Sequence, residues 1–247
     1  MSKMPIAMAI LCLPLMMWPE VASAQSTFSV SVSRHSEVPE LSDPEVKDIL
    51  DKASKMLQKS PGHVDTPDNF ACNVTFTLKG SVGKFGSTDT PAIVDRDHID
   101  AVHRVDSDRT DVDFRVKVVK EITNFCRFPR RGFRGCSFPP NFRSIIVVHP
   151  KLHKDNQGHT LSDSDLANFP NHILWAHEFG HLTGLGHRTE QGELHALMTP
   201  CDLRRFSTVS DAQVQVTKDE CTCLLSGPGF GPNGTCGIPG PVACPGE

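Results

Sequence analysis

Three histidines and a glutamate occur within the stretch HEFGHLTGLGH, which runs from His177 to His187. On a helix of about 3.6 residues per turn, His177 and His181 lie one above the other on the same face, so both rings can reach one metal ion. Glu178 follows the first histidine and would face a water molecule on that ion. The residue types and their spacing therefore predict a zinc site with a base beside it.

His187 can join this site only if the helix ends before it. Along an unbroken helix it would lie about 15 Å from His177, whereas zinc–nitrogen bonds are about 2.0–2.1 Å long. We expect Gly184 and Gly186 to end the helix, because glycine adopts positive φ at a helix C-terminus without a steric penalty. The chain then turns back and brings the third imidazole to the ion.

Three protein ligands leave the fourth position of a tetrahedral zinc open to water, which is typical of a catalytic site. The metal lowers the pKa of this water, and Glu178 is expected to accept its proton as the general base. The alternative is a histidine-rich helix that only packs or binds metal adventitiously. The third histidine, at this spacing, argues against that alternative.

The pattern HExxHxxGxxH resembles the zinc-binding signature of the metzincin metallopeptidases. A second match is ALMTP at residues 196–200, where Met198 resembles the methionine of the Met-turn beneath the zinc in that family. Together, HEFGH and ALMTP are most similar to the matrixins, over about twenty-five of the 247 residues. The resemblance implies a zinc endopeptidase that binds an extended peptide across the zinc cleft. It also implies that Pro200 and its turn wall the pocket for the side chain after the scissile bond.

The chain departs from the family pattern in two respects. It contains no tyrosine, so the tyrosine that assists the zinc site in some metzincins has no counterpart. It also has no cysteine between Gln25 and Cys72, where a matrixin-type cysteine switch is expected. The sequence therefore gives no support for latency through a propeptide.

The first 24 residues resemble a secretory signal peptide. Lys3 precedes an apolar run from Ile6 to Met17, and Ala22-Ser23-Ala24 is a small-residue cleavage pattern. The run has about twelve residues, fewer than the roughly twenty that span a bilayer. We expect a secreted or periplasmic chain that begins at Gln25 and has no membrane span. Its formal charge stays at −4 and does not indicate a nucleic-acid partner, and its oligomeric state is not indicated.

An even number of cysteines remains after this cleavage, which in an exported protein predicts disulfides. They are Cys72, Cys126, Cys136, Cys201, Cys221, Cys223, Cys236 and Cys244. For Cys201, next to the Met-turn, we expect a bridge to Cys221 or Cys223. Cysteine ligation of zinc is the competing interpretation, but no CxxC pair occurs.

Alternating and helical hydrophobic patterns predict a sheet with helices, of the α/β or the α+β class, and the resemblance to the metzincins implies α+β. The strand candidates are Thr27 to Ser33, Asn73 to Leu78, Ile99–Val105, Val112–Val119 and Ile145 to Val148. The last is apolar without alternation, as expected of a central strand that is covered on both faces. The order of elements resembles a metzincin-like zincin fold, with a mixed twisted sheet, a scaffold helix and a zinc-binding helix.

Three helices accompany these strands. The scaffold helix begins at an N-cap, Asp43, followed by Pro44, and ends at Ser60-Pro61-Gly62. The zinc helix begins at Pro170 or Asn171. A capping box at Ser210 and Gln213 is expected to start the last helix, which would reach about Cys221.

These elements divide the chain into three parts. Residues 1–24 are the signal peptide, 25–225 the catalytic domain with a small C-terminal subdomain, and 226–247 a tail rich in glycine, proline and cysteine. We expect the tail to lack regular structure and to be held by disulfides.

Two charged loops are candidates for additional binding. Seven aspartates between Asp95 and Asp113 are ligands of the kind that calcium prefers, but the EF-hand pattern is absent and arginines are interspersed, so we favour a solvated loop. The loop CRFPRRGFRGC, residues 126–136, carries four arginines. If Cys126 and Cys136 pair, it becomes a basic covalent loop for an acidic substrate or a polyanion; an ordinary solvated loop is the interpretation that we favour.

The favoured function is a secreted zinc endopeptidase whose partners are protein or peptide substrates. The first alternative is a non-catalytic secreted zinc-binding protein that acts through another surface, and Glu178 argues against it because a purely structural site needs no base. The second is a zinc hydrolase of a non-peptide amide, which the motif does not exclude.

Overall fold

A computed structural model describes residues 25–86, 92–93, 96–123, 134–137, 143–155, 158–188, 196–198 and 210–228. The predicted signal peptide, most of the arginine-rich loop and the tail from residue 229 onward lie outside these residues, so the expectations for them stay predictions. None of the described helices is long and apolar enough to cross a membrane.

A mostly parallel sheet lies at the centre of the described structure. The strands are β1 (Ser26–His35), β2 (Val74–Leu78), β3 (Gly83–Phe85), β4 (Ala92–Ile93), β5 (Phe114–Val119), β6 (Glu121–Ile122), β7 (Gly135–Ser137) and β8 (Ser144–Val148). The strand order is β2-β1-β5-β8-β7, and β3 pairs with the end of β1. Only β7 runs antiparallel to its neighbour in this sheet, and β4 and β6 form a separate parallel pair.

The helices are α1 (Asp43–Gln58), α2 (Arg96–Arg104), α3 (Asp163–Ala167), α4 (Asn171–Leu182) and α5 (Lys218–Ser226). The core on one face of the sheet includes residues of α1, α4 and α5, and that on the other face includes residues of α2. The predicted α+β class is therefore confirmed. The finer metzincin assignment stays a prediction.

Phe179 fixes α4, the helix of the zinc motif, against the sheet. Its ring centroid lies 5.1 Å from that of Phe28 on β1, 4.9 Å from that of Phe76 on β2 and 5.0 Å from that of Phe114 on β5. Aromatic rings at these separations gain contact energy beyond the burial of their area. The helix thus packs through Phe179, while the residues on either side of it in sequence serve the site.

Helix α1 is the predicted scaffold helix, but its cap differs from the prediction. Ser42, not Asp43, is the N-cap, and it forms a capping box with Glu45. Asp43 instead accepts a hydrogen bond from the backbone N–H of Val82 at 2.8 Å, which ties the start of the helix to the loop before β3. Both residues have short polar side chains that can cap, so the sequence alone did not separate them.

The predicted strand Ile99–Val105 is wrong, because this segment belongs to α2 and the turn after it. Ile99 and Val102 are three residues apart and both are buried in the core of the second face, beside Ile146 and Val148 of β8. Spacing of i and i+3 is helical spacing, and here it decided the structure although isoleucine and valine are more common in strands.

Strand β5 is confirmed, but its polar alternate residues do not face water. Lys117 is 1 % exposed, and its Nζ donates to Ser33 Oγ at 2.8 Å and to Asp106 Oδ2 at 2.7 Å. The turn that follows α2 supplies Asp106. A second layer of structure therefore covers the face of β5 that carries the polar alternate residues.

Strand β8, which includes the apolar run Ile145 to Val148, is buried along its whole length, as predicted for a central strand. The prediction for the last helix is wrong in its starting point. Ser210 and Gln213 do form a capping box, but it begins only a short 3-10 helix, Asp211–Gln213. The last helix, α5, has its own box, made by Thr217 and Glu220.

One disulfide joins distant parts of the described chain. Cys72, just before β2, pairs with Cys221 on α5, so the expected alternative of a Cys201–Cys221 bridge is wrong. Cys223 is also disulfide-bonded, and a Cys201–Cys223 bridge stays a prediction because Cys201 lies outside the described residues. Cys136 is a free, buried thiol, so the conditional bridge to Cys126 is wrong.

Candidate metal centre

The turn after α4 brings His187 back to the helix that carries the other two histidines. The helix ends at Leu182, and Gly184 adopts a φ of 91°. The backbone N–H of Gly184 donates to His181 O, and that of Leu185 donates to Gly180 O, at 3.0 and 3.1 Å. This pair of bonds is the Schellman ending of a helix. The prediction is thus confirmed for Gly184, whereas Gly186 is not in the left-handed region.

The three histidines converge through their Nε2 atoms. The distances are 3.1 Å between His177 and His181, 3.1 Å between His181 and His187, and 3.3 Å between His187 and His177. Ligands about 2.0–2.1 Å from a tetrahedral zinc lie roughly 3.3–3.4 Å from one another. The triangle of nitrogens therefore fits a zinc ion. Among the described residues, these three histidines form the group of side chains that could together hold a metal ion.

Backbone carbonyls fix the orientation of two of these rings. His177 donates from Nδ1 to Leu197 O at 2.7 Å, and His181 donates from Nδ1 to Leu185 O at 2.8 Å. Since a carbonyl oxygen only accepts, Nδ1 carries the proton in each ring and Nε2 is left with a lone pair. Such bonds to the far nitrogen set the tautomer that a metal-binding histidine needs.

Burial favours the neutral form of all three rings. It lowers the pKa of His177 and His181, and it lowers the pKa of His187 to about 4, with a further contribution from His181. Neutral imidazole is the form that binds metal, so no proton needs to leave these rings near neutral pH.

Met198, the methionine of the ALMTP segment, forms the floor below α4. Its side chain is fully buried, and a Cβ placed on Gly180 would lie 2.5 Å from its sulfur. Gly180 precedes the second histidine, and its missing side chain lets the methionine approach the helix. Leu197, which accepts from His177, is held by its own N–H to Gln215 O at 2.8 Å.

Glu178 lies against strand β7. A Cβ placed on Gly135 would lie 2.4 Å from Glu178 Oε1, so the carboxyl group rests directly on the backbone there. Burial raises the pKa of Glu178 from 4.5 to about 8, and the hydroxyl of Ser137 acts more weakly in the opposite direction. A nearby cation would favour the ionised form, because opposite charges stabilise a carboxylate.

The outer edge of β7 carries backbone groups that face away from the sheet. Val148 N–H donates to Arg134 O, so Arg134 and Val148 form a hydrogen-bonded antiparallel pair. In the alternation of an antiparallel ladder, the register places Gly135 and Ser137 in the non-bonded pairs. Their N–H and C=O groups therefore point to the free edge, beside Glu178, and no described strand pairs there.

Gly135 and Ser137 were not recognised from the sequence as parts of the site. They lie at the end of, or just beyond, the arginine-rich loop, in a strand of three residues that is too short to show a hydrophobic period. The carbonyls of Leu185 and Leu197 were also missed, because backbone acceptors have no signal in residue type.

The acidic segment contains several paired carboxylates. Asp106 binds Lys117, Asp111 binds Arg109, and Asp113 accepts from the backbone N–H and the hydroxyl of Ser29. The solvated loop that the sequence favoured is wrong for Arg96–Arg104, because these residues form α2. The ion pairs of Asp106 and Asp111 account for those two carboxylates without a metal ion. The weaker calcium expectation stays untested.

Comparison with known proteins gives little beyond this geometry. No protein-family model matches the chain, and no curated protein matches it. Among solved structures, the chain is similar to a zinc-dependent peptidase from Methanocorpusculum labreanum (strain Z), with 17 % identity and a TM-score of 0.47. The match covers 79 % of this chain and 99 % of that one.

Proposed function

We propose that this chain is a secreted, zinc-dependent endopeptidase of the metzincin type. The observation that carries the proposal is the triangle of three Nε2 atoms, 3.1–3.3 Å on a side, with a buried carboxyl group in the next residue after the first ligand. His177, His181 and His187 would hold the ion, and Glu178 would be the base. Export through a signal peptide at residues 1–24 is part of the same proposal.

The bound zinc would supply a Lewis acid for the scissile carbonyl and the attacking water. Glu178 would accept the proton of that water at its carboxylate as the oxygen attacks the carbonyl carbon. It would then pass the proton to the leaving amine nitrogen. Burial of Glu178 favours both transfers, because a low-dielectric surrounding strengthens its interactions with the reacting groups.

The free edge of β7 supports a peptide as the substrate. An extended peptide can add to a sheet edge through main-chain hydrogen bonds, and here Gly135 and Ser137 would provide them. The same strand contacts Glu178, so a peptide paired with β7 lies next to the base. This arrangement favours cleavage within a chain over hydrolysis of a small non-peptide amide, which would need no strand edge.

A non-catalytic zinc-binding protein is the alternative from a different class. Such a protein would bind zinc through the same three histidines but would not need a buried carboxyl group in the next residue. Loss of turnover on replacing Glu178, with zinc retained, separates the two functions.

The test is to incubate the purified protein with a diverse peptide library, with and without a chelator, and to identify products by mass spectrometry. We expect internal cleavages that the chelator abolishes. A His181→Ala variant is expected to lose zinc in metal analysis. Equal zinc in this variant and the wild type would contradict the ligand assignment, and zinc-loaded protein without any cleavage would favour the alternative.

A further inference from the structure

We infer that Arg188 and Glu220 are positioning residues that hold the third histidine in place for zinc. Arg188 is the residue immediately after His187, and Glu220 lies on the last helix, α5. The inference rests on the metal site of the proposed function and adds a part of the chain that lies outside the zinc motif.

Arg188 is fixed through both its backbone and its side chain. Its N–H donates to Met198 O at 2.9 Å, which joins the chain after the third histidine to the floor of the site. Its guanidinium binds both carboxylate oxygens of Glu220, from Nε to Oε1 at 2.7 Å and from Nη2 to Oε2. This two-bond geometry restricts rotation as well as distance, because the guanidinium is planar.

Glu220 is buried and Arg188 is mostly covered, with side-chain exposures of 4 % and 13 %. A charge in such surroundings needs its partner, since removing one member leaves the other uncompensated. The two residues are therefore expected to stay together in the folded protein. His187, as the neighbour of Arg188, is fixed with them.

Glu220 is itself held in place on α5. Thr217 N–H donates to Glu220 Oε2 at 2.7 Å, and Glu220 N–H donates to Thr217 Oγ1 at 3.1 Å. The next residue, Cys221, is bridged to Cys72, and Leu224 is buried in the main core. The carboxylate thus presents a rigid acceptor to Arg188.

His187 has more need of such support than the other two ligands. His177 and His181 project from a packed helix, and each donates from Nδ1 to a carbonyl. His187 lies beyond the helix end, and within the described residues its side chain makes hydrogen-bond contacts only to the other two imidazoles, through Nε2. Its position therefore depends on the backbone that Arg188 fixes.

The experiment measures the zinc dissociation constant of purified protein by competition with a chelator of known affinity. Arg188→Met and Glu220→Gln are each expected to weaken zinc binding by roughly 10–100-fold, the usual effect of removing a residue that supports a metal ligand. The double variant is expected to bind zinc no more weakly than either single variant, because all three variants lack the same interaction. If Arg188→Met does not fold, Arg188→Lys replaces it, since lysine keeps the charge but not the two-bond geometry.

The matched control is Thr222→Gly, which weakens α5 at an exposed position and leaves the contacts of Glu220 in place. It is expected to lower the unfolding temperature of the metal-free protein without changing the zinc dissociation constant. Visible absorption of bound Co²⁺, which depends on ligand geometry, is expected to change in the Arg188 and Glu220 variants and not in the control.

Wild-type affinity in the Arg188 and Glu220 variants would overturn the inference while leaving the proposed function intact. An equal loss of affinity in Thr222→Gly would also overturn it, because the stability of α5 would then account for the effect. A wild-type protein that binds no zinc would overturn the inference together with the proposed function.

Discussion

Gly135 determines where the carboxyl group of Glu178 can lie. A methyl group at this position would stand 2.4 Å from Oε1 and 2.7 Å from Cδ and Cγ, so Gly135→Ala must displace the carboxyl. We expect turnover to fall by on the order of 100-fold, the effect of a displacement of about 1 Å at a reacting group. Zinc content is expected to stay the same, because Glu178 is not a ligand. Peptide turnover and metal analysis on the same sample test both statements.

Gly83→Ala is the matched control, because it adds a methyl to another strand glycine of the same sheet. There the nearest atom is Ser33 Cβ at 3.5 Å, an ordinary contact. Wild-type turnover in Gly135→Ala would show that Glu178 does not need its present position.

Replacing Glu178 itself separates ligation from catalysis. Glu178→Gln keeps the size of the side chain but cannot accept the proton, so turnover is expected to fall by about 10²–10⁴-fold. Zinc binding is expected to persist. Unchanged turnover would remove Glu178 from the mechanism, and lost zinc would make it a ligand.

The convergence of the three histidines was predictable from sequence because their spacing is local. His177, Glu178 and His181 lie within two turns of one helix, and a single glycine turn, at Gly184, brings back His187. Gly135 was not predictable, because the contact depends on how an edge strand packs against Glu178, which lies 43 residues further along the chain.

The surroundings of Lys117 on β5 could not be predicted from the strand pattern. Alternation correctly predicted a strand, but it does not show what covers each face. The turn after α2 supplies Asp106, which binds Lys117, and the segment of α2 had been predicted to be a strand. An error in one element thus concealed the environment of the next.

The two residues of the Lys117–Asp106 ion pair are expected to differ in how much their replacement lowers the free energy of unfolding. Asp106→Asn leaves the buried ammonium of Lys117 without its charged partner, and we expect a loss of about 1–3 kcal/mol. Lys117→Met removes the buried charge and leaves Asp106, whose side chain is 43 % exposed, to be solvated by water. The second loss is expected to be smaller, since apolar replacement of a buried charge is often tolerated. Urea unfolding of both variants tests the order, and a reversed order would contradict it.

The capping box of α1 makes the stability of the folded protein depend on pH. The backbone N–H of Ser42 is the main cause that lowers the pKa of Glu45 from 4.5 to about 2. Because the pKa is lower in the folded state, this contribution to stability is present above pH 4.5 and is lost as the pH falls towards 2. Glu45→Gln is expected to be less stable at neutral pH and to lose less stability on acidification.

Thermal unfolding across this pH range measures the effect of Glu45. Asp48→Asn, which removes an exposed carboxylate from the same helix, controls for the change in net charge. Parallel acid curves for the wild type and Glu45→Gln would contradict the role of the cap.

The disulfide between Cys72 and Cys221 spans 149 residues of sequence and joins β2 to the last helix. Closing a loop of this length restricts the unfolded chain, so replacing both cysteines by serine is expected to cost about 3–5 kcal/mol. Cys136→Ala, which removes a cysteine without a disulfide, is expected to cost less. Denaturant unfolding compares the two, and equal losses would contradict the contribution of the cross-link.

Long-range pairing was the part of the molecule that sequence could not give. An even cysteine count predicted disulfides, yet eight cysteines allow about a hundred pairings. The strand order could not be predicted for the same reason. Strands β1 and β5 pair although α1, β2, β3, β4 and α2 lie between them in the chain, and nothing in either strand specifies that partner.

The position of Trp175 gives the protein its own optical probe. The chain has no tyrosine and two tryptophans, and Trp18 lies within the proposed signal peptide. The exported chain would therefore hold one strongly fluorescent side chain, in α4, 3 % exposed and two residues before His177. Its emission wavelength reports solvent access to the helix of the metal site and to no other part of the molecule. Opening of that helix, on metal removal or in denaturant, can be followed in unlabelled protein as a shift of the emission to the red.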